Sequence, residues 1–283
     1  MVKIIDGKKL AEDINNQTVL EVQTLPRRPN LAIIIVGDNP DSDLYVSKKE
    51  KKAKEVGVDT HTYKCEQDIG QGKLLETIDW LNQDDMIDGI MVQLPLPKDG
   101  DYNTDEIIKR IRPDKDVDRF HPENIKPIRE TCSDKHIMPP VFGVVLEMLK
   151  SISIELEDTK VTILSKSEIF GGSLAKALEC KGAKTTVCSA DDPEVSEKSR
   201  GADILIPVIG KPKFVKGDMI KEDVVIIDVG ITREMGSVYG DVDFEDVKDK
   251  AGYISPVPGG VGPMTVALTL RNTLELYKRR SEK

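Results

Sequence analysis

Short, almost unbroken runs of isoleucine, valine and leucine recur along the chain, separated by longer amphipathic stretches. The runs fall at 31–36, 89–94, 160–164, 185–188, 203–209 and 224–229. A strand with one wet face alternates apolar and polar residues, whereas a continuous apolar run fits a strand covered on both faces of a parallel sheet. The stretches at 42–56, 73–82, 104–110, 143–149, 171–181 and 264–280 read as helices. Strand–helix alternation of this kind implies an α/β fold with right-handed crossovers. With 283 residues, two modest domains are expected rather than one large one. The polar, proline-bearing stretch 129–140 is the expected boundary. Residues 1–137, completed by a final helix at 264–283, would form one domain and 138–263 a second, Rossmann-type domain, with ligand in a cleft between them.

A net charge of −9 argues against a nucleic-acid or anionic-membrane surface. The first residues carry acids and lack an apolar core, unlike a secretory signal, and no run approaches the roughly 20 apolar residues of a membrane span. Cys65, Cys132, Cys180 and Cys188 show no CxxC spacing, so reduced, small buried thiols in a cytoplasmic protein are expected rather than a zinc site. His61, His121 and His136 are too dispersed for a metal cluster.

The run at 160–164 ends in Ser165-Lys166-Ser167-Glu168-Ile169-Phe170-Gly171-Gly172-Ser173 and leads into a helix. A strand, a small-residue turn and a helix N-terminus suit a phosphate, because free N–H groups and the helix dipole face the anion. The full GxGxxG fingerprint is missing, since Ser165 and Ser167 stand where the first two glycines would be, and an ordinary βα turn would look similar. At the end of the next run, Ser189 replaces the carboxylate that usually binds a ribose 2′-hydroxyl, and Lys166 lies nearby; both favour a 2′-phosphate and hence NADP, while Asp191 and Asp192 leave NAD possible. The strand end at 227–231 brings a further glycine turn and Ile231 to the same edge.

In the first half, Val36-Gly37-Asp38-Asn39-Pro40-Asp41-Ser42 forms a turn into a helix, with Ser42 the expected N-cap. Tyr45 and Lys49 stand four residues apart and share a face. Such a pair can serve as ring platform and proton-transfer group if burial lowers the lysine pKa. The plainer reading is a solvated helix face, because Lys48, Lys49, Lys51 and Lys52 form a charge run. Gln93 sits at a strand end before the Leu94-Pro95-Leu96-Pro97 turn, and 113–118 is a carboxylate-rich loop. The most specific segment is 255–265, whose glycines and prolines fix an unusual backbone path into the last helix.

Together these segments resemble the methylenetetrahydrofolate dehydrogenase/methenyltetrahydrofolate cyclohydrolase family of the bifunctional FolD type. The likeness covers VGxxPxSxxYVxxK at 36–49, GIxVQLPLP at 89–97 and KDVD at 115–118. It continues through VIDVGI at 226–231, Gly240-Asp241-Val242, and PVPGGVGPMT at 256–265. The resemblance implies oxidation of 5,10-methylenetetrahydrofolate with NADP+ and then hydrolysis to 10-formyltetrahydrofolate. It implies Lys49, Tyr45, Gln93 and Asp118 as catalytic, with Ser42, Leu94, Pro258 and Gly259 also contacting substrate. Ser165, Lys166, Ser167, Gly171, Ser189 and Ile231 would bind the dinucleotide, and a homodimer is the implied assembly. Departures occur at the nucleotide turn, at Met138-Pro139-Pro140-Val141, and at Arg119, which stands where the family has glycine after KDVD. A dehydrogenase without cyclohydrolase activity, a silent dinucleotide-binding module and a 2-hydroxy-acid dehydrogenase are the rival readings. Retention of Lys49, Gln93 and Asp118 speaks against the first, that of Tyr45, Lys49 and Asp118 against the second, and the third lacks a well-placed histidine–arginine pair and the full glycine fingerprint.

Overall fold

A computed structural model describes residues 2–97, 100–133, 136–234 and 236–282. In chain order the elements are β1 (Lys3–Ile4), α1 (Gly7–Val22), β2 (Asn30–Val36), α2 (Pro40–Val56), β3 (Asp59–Cys65), α3 (Gln71–Gln83), β4 (Gly89–Val92), α4 (Thr104–Arg110) and α5 (Pro122–Glu130). They continue as α6 (Pro140–Ser151), β5 (Lys160–Leu164), α7 (Glu168–Glu179), β6 (Lys184–Cys188), α8 (Val195–Arg200), β7 (Ile204–Pro207) and β8 (Val225–Ile226). The hairpin β9 (Thr232–Glu234) and β10 (Ser237–Tyr239), α9 (Phe244–Val247), β11 (Tyr253–Ile254) and α10 (Val261–Ser281) complete the chain.

The chain divides into two compact units, one of residues 12–126, 137–140 and 266–283, the other of 1–11, 127–136 and 141–265. The division differs from the expected one at the N-terminus and at the central boundary, where 127–136 fall in the second unit and 138–140 in the first. Residues 1–11 join the second unit because β1 pairs in parallel with β11, Lys3 opposite Tyr253 and Ile4 opposite Ile254.

The first unit holds a parallel sheet of order β3-β2-β4. All seven residues of β2 are buried, as its unbroken NLAIIIV sequence requires. Its alternate residues feed two cores, Leu31, Ile33 and Ile35 packing with Ala53, Val56 and Leu270, and Ala32, Ile34 and Val36 with Leu74, Ile78 and Ile107. Each of the leucine, isoleucine and valine side chains contributes about 1.5–3 kcal/mol by leaving water. The chain runs from β2 out to β3 and returns to β4 on the other side of β2, so the order reverses at the carboxyl ends of β2 and β4. Crevices at such reversals hold ligands in open α/β sheets.

The second unit holds a six-stranded sheet of order β1-β11-β8-β7-β5-β6, its paired strands parallel. Its reversal lies between β5 and β7, where Val208 N–H donates to Leu164 C=O at 2.9 Å. This is the Rossmann-type arrangement expected for residues 138–263.

Two expectations need correction here. Ser42 lies inside α2, and Asn39 takes the capping position, its Oδ1 accepting from the Ser42 N–H at 3.4 Å. Pro40 then occupies the first helical position, where its missing N–H costs nothing. Cys132 and Cys180 are joined in a disulfide with Cα atoms 5.0 Å apart, so only Cys65 and Cys188 are free thiols. A separation of 48 residues gives no spacing signal by which sequence would reveal the pair. Titration of the denatured, unreduced protein is expected to find two thiols of the four cysteines; four would show the bond absent. Among the described residues no helix is long and apolar enough to cross a membrane.

Candidate active site

The α2 residues Val46, Ala53 and Val56 are at most 4% exposed and form the stripe that packs α2 on the sheet. Lys49 falls within that stripe and is 6% exposed, while Lys48 and Lys51 face solvent. The solvated-face reading is therefore wrong for Lys49. The signal was its register, because 46, 49, 53 and 56 repeat at helical spacing. Lys49 Nζ donates to Gln93 Oε1 at 2.8 Å, and Gln93 Nε2 donates to the Leu94 carbonyl at 2.7 Å. The Gln93 amide is thereby oriented with its oxygen toward the lysine. Its backbone N–H donates to Ile34 C=O at 2.8 Å, which ties this residue to the end of β2.

The loop after α4 delivers Asp118. Ile90 N–H donates to Lys115 C=O at 2.7 Å and Val117 N–H to Ile90 C=O at 3.3 Å, so the loop runs beside β4. Lys115 is fully buried, its Nζ donating to Leu81 and Asp84 carbonyls at 2.9 and 2.6 Å, and burial pushes it down to about 8. Asp116 accepts from the N–H groups of Arg119 and His121 at 3.0 and 2.8 Å and from Asn124 Nδ2 at 3.0 Å. Lys115, Asp116 and the core residue Val117 thus frame the loop and leave Asp118 to act. Burial raises the Asp118 carboxyl to about 6, Lys49 drawing it down and Asp116 pushing it up. Burial conversely lowers the Lys49 ammonium pKa, opposed by Asp118. Each group's environment disfavours its charge while the partner favours it, so the two are electrostatically coupled.

Tyr45 is partly buried one turn before Lys49, with Lys48 Nζ 6.0 Å from its ring centre. Ser42 is buried in the first turn and Leu94 is 42% exposed. Lys49, Gln93 and Asp118 therefore converge, with Tyr45 on the same helix face. Pro258 and Gly259 belong to the other unit. There Val257–Pro258 is cis and Gly259 has φ +109°, a conformation that other residues rarely adopt.

In that unit Ser165 is buried and its Oγ accepts from the Ser167 N–H at 3.1 Å. Ser167 caps α7, accepting from the Phe170 N–H at 3.1 Å. A Cβ on Gly171 would lie 2.9 Å from Val187 Cγ1 and 3.0 Å from Ser165 Cβ. Gly171 thus performs the helix–strand packing of the fingerprint's third glycine although the first two are serines. Beyond β6, Ser189 Oγ accepts from the Asp191 N–H at 3.3 Å. The Asp191 carboxylate pairs with Lys166 at 3.3 Å and Lys211 at 2.8 Å, and both hold its pKa below the usual range. Lys211 was not among the expected nucleotide residues; its place after β7, at the sheet's reversal, was the available signal. Ile231 is 38% exposed after β8. Asp228 and Asp241 form the frame of this edge. Asp228 accepts from the Gly230, Asp241 and Val242 N–H groups at 3.0–3.1 Å, and Asp241 from Ile209, Gly210 and Lys211 at 2.7–3.1 Å.

A Rossmann-type unit with a serine-capped strand–helix turn, and a second unit with a buried lysine–amide–carboxylate group, define the class of dinucleotide-dependent enzymes. Residues 5–118 match the catalytic domain, and 140–281 the NAD(P)-binding domain, of tetrahydrofolate dehydrogenase/cyclohydrolase. The bifunctional protein FolD of Sulfurihydrogenibium is 43% identical over 98% of each chain, and that of Aquifex aeolicus 43% identical over 99% of this chain and 97% of its own. The crystal structure of the bifunctional FolD of Campylobacter jejuni superposes with a TM-score of 0.93, at 39% identity, covering 99% of this chain and 100% of that one. The Trypanosoma brucei FolD, solved with NADP and an inhibitor, gives 0.92 at 31% identity, covering 100% and 99%. The chain belongs to the tetrahydrofolate dehydrogenase/cyclohydrolase family.

Proposed function

We propose that this chain oxidises 5,10-methylenetetrahydrofolate with NADP+ and hydrolyses the resulting 5,10-methenyl compound to 10-formyltetrahydrofolate. The observation that carries this reading is Lys49, buried, bonded to Gln93 and electrostatically coupled to Asp118.

NADP+ bound at the second unit would supply the acceptor for the hydride that leaves the methylene carbon. Two electrons leave with it, and the carbon becomes an amidinium cation. Water then adds to that carbon and loses one proton, giving a hydroxyl adduct; the hydroxyl proton leaves as the C–N5 bond breaks and N5 takes up a proton, so the formyl group stays on N10 and one proton is released overall. A lysine of lowered pKa can accept and return that proton at neutral pH, which an ordinary surface lysine cannot. Gln93 fixes where Lys49 Nζ points. Asp118, when ionised, accepts from the donor edge of the pterin, and Tyr45 offers the ring a flat apolar face. Ser42, Leu94, Pro258 and Gly259 are assigned to substrate contact. Ser165, Ser167 and the packing at Gly171 fit a pyrophosphate at the α7 N-terminus. Ser189, Lys166 and Lys211 fit a 2′-phosphate, and Ile231 an apolar face of the cofactor.

A homodimer in the cytoplasm, binding no nucleic acid, belongs to the same reading. The net charge supports the last point; the thiol argument for the cytoplasm no longer applies, because Cys132 and Cys180 are bonded.

Asp118 sets the expected pH dependence. Its carboxyl, raised to about 6, is ionised above that pH and protonated below it. Hydrolysis of supplied methenyltetrahydrofolate, corrected for the uncatalysed rate, is expected to fall as pH drops through about 6. Asp118→Asn is expected to remove that limb with its activity already low. A profile unchanged by the substitution would exclude Asp118 from the reaction.

A further inference from the structure

Three consecutive backbone N–H groups of the second unit converge on one carboxylate. Ile209 and Gly210 donate to Asp241 Oδ2 at 2.7 and 3.1 Å, and Lys211 donates to Oδ1 at 2.8 Å. Asp241 is fully buried. Its seat is shared with Asp228: a Cβ on Gly230 would overlap the Asp241 carboxylate, and one on Gly240 the Asp228 carboxylate. The segments Asp228-Val229-Gly230 and Gly240-Asp241-Val242 thus build one clasp, each supplying the glycine against which the other's acid rests. Asp228 N–H donates to Ser255 Oγ at 2.8 Å, so one acid holds the start of the 255–265 segment and the other the 209–211 turn.

Taking a carboxylate out of water is costly unless its oxygens are filled, and here the filling groups are those of the turn. A carboxylate accepts at both oxygens and donates nothing, which suits three N–H groups side by side. Gly210 is exposed with φ +66°, so the turn lies outside the regular sheet. Its N–H groups face inward. Outward it presents the Lys211 ammonium, 2.8 Å from the Asp191 carboxylate and 5.6 Å from the Phe214 ring centre. The clasp therefore fixes where Lys211 stands.

We propose that Asp241 is a positioning residue for cofactor selection, holding the 209–211 turn so that Lys211 meets the 2′-phosphate of NADP+. The proposal rests on the assignment of Lys211 to that phosphate. Calorimetric titration of the full chain with NADP+ and with NAD+ tests it, using Asp241→Asn, Lys211→Ala and the double variant. The asparagine amide turns a donor toward one edge of the turn, which must swing away. Asp241→Asn is expected to weaken NADP+ about ten-fold and NAD+ less. A residue that acts through Lys211 has no further effect once that ammonium is gone, so the double variant should show the NADP+ preference of Lys211→Ala. Hydrolysis of supplied methenyltetrahydrofolate needs no cofactor and should survive in Asp241→Asn, whereas a general loss of structure would lower it too. Gly210→Pro is the second variant, for the case that Asp241→Asn does not fold. A Cβ at that exposed position meets nothing within 4 Å, yet proline removes an N–H that Asp241 accepts and cannot take a positive φ. It should show the same loss of preference with hydrolysis intact.

Additive losses of preference in the double variant, or parallel loss of NADP+, NAD+ and hydrolysis in Asp241→Asn, would overturn the proposal. So would an unaltered preference in folded Asp241→Asn or Gly210→Pro beside a lowered one in Lys211→Ala. Wild-type preference in Lys211→Ala would overturn the assignment of that lysine as well.

Discussion

Replacing Lys49 with methionine is expected to lower the hydrolysis of methenyltetrahydrofolate by roughly 10²–10⁴-fold, the usual contribution of a positioned proton-transfer group. Methionine keeps the length and much of the volume of the buried side chain while removing Nζ. Apolar packing against Val46 and Ala53 therefore survives, and the Gln93 oxygen loses only its one cationic donor. The remaining danger is Asp118, left without the cation that draws its pKa down. That cost has a ceiling: a carboxyl with a pKa near 6 is neutralised at pH 7 for about 1.4 kcal/mol, and less as its pKa rises. The variant should fold, and adding Asp118→Asn should recover any lost melting temperature. Arginine at position 49 should fail as badly as methionine, since it keeps its proton under all working conditions. Near-normal hydrolysis by a folded Lys49→Met protein would remove the lysine from the mechanism.

The second large effect concerns cofactor choice. Lys211→Ala is expected to weaken NADP+ binding by about ten-fold while leaving NAD+ nearly unaffected, with Lys166→Ala acting in the same direction. Both lysines point at Asp191, so the site already holds an anion that a 2′-phosphate must share or displace. Asp191→Asn is accordingly expected to tighten NADP+ and leave NAD+ little changed. The effects lie toward the small end of the range for charged hydrogen bonds, because the side chains of Lys166, Lys211 and Asp191 are 56%, 41% and 66% exposed and screened. Raising salt should narrow the preference in the wild type and do less in Lys211→Ala. Equal loss of both cofactors in Lys211→Ala would place that lysine at a shared phosphate instead.

How legible these features were depended on whether their signal was local. Strand β2 was evident because burial on both faces demands an unbroken apolar run. Strand β3, Asp59-Thr60-His61-Thr62-Tyr63-Lys64-Cys65, was not, because it is a sheet edge with several exposed side chains and reads as loop. Strand β1 is two residues long and is defined by its pairing with β11 some 250 positions away, which no window along the chain detects. Lys49 was visible as a candidate through the family likeness, yet its inward direction lay in the spacing of Val46, Ala53 and Val56 and was masked by neighbouring lysines. The roles of Lys115 and Asp116 as frame for Asp118 rest on contacts with Leu81, Asp84 and Asn124, and appear only in three dimensions. Lys211 and the Cys132–Cys180 bond are of the same kind.

One progress curve tests the paired activities most directly: the full chain mixed with 5,10-methylenetetrahydrofolate and NADP+, with reduced cofactor and methenyltetrahydrofolate followed at separate wavelengths. Steady formation of NADPH without matching accumulation of the methenyl compound is the predicted result, because the Lys49 group consumes what the dehydrogenase step produces. Methenyltetrahydrofolate accumulating in step with NADPH, or no NADPH at all, would contradict it.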